Sequence, residues 1–173
     1  GSKVITAAVI QAMLLVTGED LPFNETSAMA RSLIIEFDGQ HREEGAYQAC
    51  LARQHAYRKV PASFIAWWQG QETSYWLERL KDMRDGLCAF MAGEGLDGDN
   101  TRRLASNAAL SQLGLEAFWT FCYAVGVDPL AVAGCDLPAE YLGILQEMLR
   151  KMVTMVNDAR PGESFINTLI QLL

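Results

Sequence analysis

Up to about residue 40 the apolar residues come in short runs bounded by Gly, Pro and acidic positions. VIQAMLLV stops at Gly18, Glu19, Asp20 and Pro22, and SLIIEF stops at the turn signal Asp38-Gly39-Gln40. Runs of this kind predict two buried strands, within Leu14 to Phe37. Between them NETSAMAR predicts one helical turn, capped by Asn24 or Thr26. Two strands alone are marginally stable in water, so this pair must lean on helices or on further strands.

From Glu43 onward the period is helical. EEGAYQACLARQHAYRKV carries Tyr47, Leu51, His55 and Arg58 at steps of three and four, and it ends at Val60-Pro61 because proline disfavours helical backbone in the residue before it. PASFIAWWQGQ predicts a short helix with proline in its first turn. The next helix sets Trp76, Leu80, Met83, Leu87 and Phe90 on one face and stops in the loop from Gly93 to Gly98. A fourth opens at Asp99 or Asn100 and carries Leu104, Ala108, Leu115, Phe118 and Cys122 among few charges, which marks it as the central one. DPLAVAG predicts a short turn of helix, and a long helix follows with Leu142, Leu145, Met148, Leu149, Met152 and Met155 at helical spacing.

The pattern therefore predicts a mainly α chain, a bundle of about five helices with a short two-stranded β piece near the N-terminus. Its expected divisions are residues 1–38 with the strands, 39–160 as a helical domain and 161–173 as the start of a following element. Gly1-Ser2 reads as a tag remnant and the amphipathic ESFINTLIQLL ends on Leu172-Leu173 without a stop signal, so the sequence is expected to be a piece of a longer chain.

Composition narrows the chemistry. With 50% hydrophobic and 20% charged residues in 173, the chain has the make-up of a folded domain with a sizeable core. A net charge of -7 argues against a large electrostatic affinity for nucleic acid, although local patches remain open. Cys50, Cys88, Cys122 and Cys135 form no CxxC pair, which fits thiols in a reducing cytosol and a cytoplasmic location. His41 and His55 do not share the face that a helical metal site needs, so no metal is expected. Cys50 and His55, five apart on a helix, point in different directions and make a poor nucleophile pair. No GxSxG elbow is present, and the run from Val4 to Val16 is too short to span a membrane, so no membrane partner is expected.

The order of elements carries more than any one residue. A strand ending in TGEDLP, an irregular turn, ARSLIIEF, a long helix, VPASFIAWW, a helix opening with NTRRLASNAALSQLGLEAFWTFCYAVGVDP, and ARPGESFINTLIQLL follow in succession. This succession resembles the C-terminal part of the ATPase half of primase-helicase proteins carried by phages and mobile elements. In that family a nucleoside-triphosphatase core with a P-loop precedes a helical region and a small C-terminal domain. The resemblance spans almost the whole chain, on motifs that are each short.

The resemblance implies that the two strands are the last of a nucleotide-binding sheet, and that the parent is a DNA-dependent ATPase, a replicative helicase to which a primase can be fused. ATP, Mg and a homo-oligomeric ring on DNA are then expected for the parent. Thr17, Glu19 and Asp20 would stand where a strand meets its loop and would sense the terminal phosphate. Arg31 resembles the arginine that ring ATPases extend into a neighbour's site. No GxxxxGK[ST] occurs in the 173 residues, so this chain alone is expected to bind no nucleotide cofactor and to be inactive.

Each of these residues has a plainer role open to it. Glu19 and Asp20 would equally end a strand, and Arg31 would equally be a surface cation. Arg102 and Arg103 sit at a helix start, where cations oppose the helix dipole. Either a salt bridge to Asp97, Asp99 or a neighbouring helix compensates them, or they contact DNA phosphate. Phe64, Trp67, Trp68, Tyr75 and Trp76 lack interleaved cations, which favours core for Trp67 and Trp76 and a protein interface for Trp68 over base stacking. A rival from another class is a complete small acidic helical adaptor or secretion chaperone that docks through the Trp-rich segment. It would cover the Leu14 to Phe37 strands with its own helices.

Overall fold

The computed structural model describes residues 31–34, 44–57, 59–96, 98 and 100–158. They are mainly helical, in the order α1 (Glu44–Ala52), α2 (Gln54–Tyr57), α3 (Val60–Gln69), α4 (Thr73–Gly93), α5 (Thr101–Ala124), α6 (Pro129–Ala133) and α7 (Leu137–Asp158). Of the two expected strands only Ser32, Leu33 and Ile34 are described, in backbone that is neither helix nor strand; the rest lies outside the described residues, as does the segment after Asp158.

Three long helices build the core. Arg79, early in α4, bonds Glu116, late in α5, so these two run antiparallel. The hydroxyls of Ser111 on α5 and Tyr141 on α7 share a 2.6 Å hydrogen bond, and Arg150 far along α7 returns to Glu94 at the end of α4. The result is an up-down-up bundle. Met83, Leu87 and Met91 of α4 meet Leu145, Leu149 and Met152 of α7 across Leu104, Ala105, Ala108 and Ala109 of α5. Small alanines on the middle helix let the larger Leu and Met side chains of both neighbours fill the space between the axes. The expected faces of α4 and α7 are thus the buried ones, except that Met91 takes the place expected for Phe90, which packs at the edge. On α5, Phe118 is 40% exposed and Phe121 is the buried ring instead.

The single helix expected from Glu43 to Val60 is broken at Arg53. There the chain tightens, with the Arg53 N–H donating to the Cys50 carbonyl and the Ala56 N–H to the Arg53 carbonyl, each three residues back. Neither α1 nor α2 has a fully buried residue to fix the two on a common axis. Asn100 caps α5 as expected by position, but its side chain accepts no capping hydrogen bond. Asp128 does cap: its carboxylate accepts from the Leu130 and Ala131 N–H groups, while Gly134 ends α6 at φ 74°, a left-handed conformation that favours glycine.

Candidate functional site: a fastened arginine and an aromatic tier

Two features of this scaffold carry chemistry. The first begins at Ser32, whose carbonyl accepts a hydrogen bond from the Asn107 carboxamide of α5 at 3.2 Å. The next two residues, Leu33 and Ile34, pack against the bundle core. Arg31, immediately before this fastened stretch, is exposed. One turn before Asn107 on the same face of α5 stands Arg103, with Arg102 beside it, and both are exposed. Neither forms an ion pair with another described residue; Asp97 and Asp99, the acids expected to compensate them, lie outside the described residues. Arg31 and the α5 arginines are thus carried by one corner of the bundle. Thr17, Glu19, Asp20 and His41 lie outside the described residues.

The second feature is a chain of ring contacts joining α3, α4 and α5. Phe64 stacks on Trp68 at 6.1 Å between centroids, and Trp68 lies 5.0 Å from Trp76, which Tyr75 meets edge-on at 5.0 Å. On the other side Phe64 reaches Phe118 at 6.1 Å and Phe121, edge-on, at 5.6 Å. Trp76 and Phe121 are each 5% exposed and form the base of the tier, whereas Trp68, Phe118 and Tyr75 at its rim are 37%, 40% and 54% exposed. Trp67 is half-buried and joins the base through Trp76 and Phe121. Offset and edge-on geometries are those that aromatic quadrupoles favour, and rings held this way lose little conformational entropy when a partner covers them.

Among the described residues no group of three or more His, Cys, Asp and Glu side chains is placed to hold a metal ion. Burial pushes the Cys122 thiol up, and burial with the Glu140 carboxylate does the same for Cys135, so both are held as thiols and not as nucleophilic thiolates. The Tyr57 phenol is pushed up chiefly by the Cys50 side chain beside it. No described helix is long and apolar enough to cross a membrane.

The sequence marked Arg31, Arg102, Arg103 and Trp68, but not Asn107. A carboxamide that reaches a carbonyl 75 residues away leaves no spacing to read. Phe118 stood at helical spacing and read as core; what moved it to the rim is the neighbouring Ala117 and Phe121, which take the buried side of α5. Comparison of the chain with protein-family models, with curated proteins and with solved structures finds no match.

Proposed function

We propose that this chain is the C-terminal, mainly helical part of a DNA-dependent ATPase of the phage and mobile-element primase-helicase type. In this reading it supplies no phosphate cradle of its own. It contributes a scaffold, a surface for neighbouring subunits and one arginine, Arg31, that acts in a neighbour's site. The observation that carries the reading is that an exposed arginine, at the place where the resemblance expects a trans-acting one, adjoins a stretch fastened to a long, well-packed helix. Stabilising transition-state charge demands a cation held in position, and such an arginine contributes about 10³ to 10⁵ in rate. ATP and Mg belong to the P-loop part of the parent, and its place of action is the cytoplasm.

Arg102 and Arg103 fit phosphate contact with DNA, because both are exposed cations in the first turn of a long helix, where an anionic partner offsets their repulsion by the helix dipole. Replacing both by Glu in the ATP-hydrolysing parent is expected to abolish stimulation by DNA and to leave basal hydrolysis in place. Stimulation unchanged from wild type sinks the DNA contact.

A second reading, a complete acidic adaptor, is favoured by the aromatic tier alone, since exposed Trp, Tyr and Phe rings in mutual contact make a natural anchor for a protein partner. In the leading reading the same tier docks on the next subunit of a homo-oligomer. The two separate on whether the isolated tier binds a second copy of this chain or a different protein.

A further inference from the structure

We infer that Asn107 is the positioning residue for Arg31: by holding the Ser32 carbonyl, it lets α5 dictate where the Arg31 guanidinium is presented. The hydrogen bond from the Asn107 carboxamide to Ser32 measures 3.2 Å, and Leu33 and Ile34 are seated on the core directly after it. Three consecutive residues are therefore attached to the bundle, and Arg31 begins only one Cα step, about 3.8 Å, beyond the first of them. The donor itself stands on firm ground, since Leu104 and Ala108 on either side of it along α5 are 1% and 0% exposed. The backbone that follows Arg31 is thus held against the bundle. A displacement of about 1 Å in a group that acts on a transition state costs on the order of a hundredfold in rate, so the anchor matters to chemistry and not to nucleotide binding.

The attachment is independent of any function, whereas its consequence for catalysis rests on the proposed role of Arg31 in a neighbour's site. The two are tested apart. Trypsin cuts after Arg31, and in the folded chain the cut requires the 31–34 stretch to lift, so its rate reports the opening equilibrium. Asn107→Leu is expected to raise cleavage at Arg31 about three- to tenfold, the worth of one hydrogen bond, with cleavage after Lys81 and Arg84 inside α4 unchanged. Asn107→Asp, which keeps the shape and loses the donor, is expected to do the same, and it serves if the leucine disturbs the bundle. Unaltered cleavage at Arg31 in both variants overturns the inference.

In the ATP-hydrolysing parent, Asn107→Leu is expected to lower kcat at unchanged KM for ATP, Arg31→Ala to lower it further, and the double variant to be no worse than Arg31→Ala. If Arg31→Ala lowers kcat and Asn107→Leu does not, the positioning role is overturned. If Arg31→Ala leaves kcat intact while the Asn107 variants still loosen the stretch, the anchor stands and the function proposed for Arg31 falls.

Discussion

Arg79 and Glu116 face each other across α4 and α5 with two parallel hydrogen bonds, Nε to Oε1 at 2.7 Å and Nη2 to Oε2 at 2.9 Å. The paired geometry matches the guanidinium fork to the carboxylate, and the hydrogen bond to Glu116 is the main cause that raises the Arg79 pKa. Arg79 is also one turn on from Tyr75, so the pair stands beside the aromatic tier and pins the two helices that bear it. With the two side chains 42% and 21% exposed, water screens part of the attraction. Replacing Glu116 by Gln is expected to destabilise the bundle by about 1 kcal/mol in urea unfolding. A double-mutant cycle with Arg79→Met is expected to return a coupling of similar size that shrinks in high salt, and no coupling would show the pair to be idle.

The core predicts a contrast between large and small positions. Leu149 on α7 is fully buried, and Leu149→Ala is expected to cost about 2 to 5 kcal/mol through lost burial and the cavity left behind. Ala108, equally buried on the middle helix, has no spare room, and Ala108→Leu is expected to cost about 1 to 3 kcal/mol by forcing α5 away from its neighbours. Denaturant midpoints distinguish the two cases from a loosely packed bundle, in which Ala108→Leu would stabilise.

Glu94 gives a pH dependence. Its hydrogen bond from Arg150, which joins the end of α4 to α7 at 3.1 Å, holds the carboxyl below the usual carboxylate range. A folded-state pKa lowered in this way contributes stability above the unfolded value, about pH 4.3, and the contribution is lost as pH falls through the folded one. The melting temperature of Glu94→Gln is expected to lie slightly under that of the wild type at pH 7, with the two converging as the solution is acidified below about pH 4. A gap that widens on acidification contradicts this account.

How far the sequence reached depends on whether a contact is local. The faces of α4 and α7 were readable because burial on a helix repeats every three or four residues, and Leu87, Leu145 and Leu149 sit where that repeat put them. The break at Arg53 was not readable, since Tyr47 and Leu51 keep helical spacing although neither is buried. Trp68 was marked as an interface candidate because no cation interleaves the aromatic run, and it is 37% exposed. Its partners Phe64 and Trp76 lie close in sequence, whereas Phe118 was brought in by packing of α5. Asn107 was invisible for the same reason: it works through a tertiary hydrogen bond to a main-chain atom that any residue possesses.

Trp68 separates folding from docking. It stacks on Phe64 and meets Trp76, yet more than a third of it stays exposed. Trp68→Ala is expected to cost the isolated chain roughly 1 kcal/mol of stability. It is also expected to weaken self-association by a factor of ten or more in sedimentation, as truncating a hot-spot tryptophan does. Equal association by both proteins would remove the tier from the subunit contact.

The most direct test of the central claim mixes two variant subunits of the proposed parent ATPase. One carries Arg31→Ala with its P-loop intact, and the other carries Arg31 with its P-loop lysine replaced by Ala. If Arg31 serves a neighbour's site, each variant alone is silent and the mixture regains DNA-stimulated ATP hydrolysis, because wild-type sites form wherever the two kinds adjoin. Full hydrolysis by the Arg31→Ala protein on its own, or silence in a mixture shown to co-assemble, contradicts it.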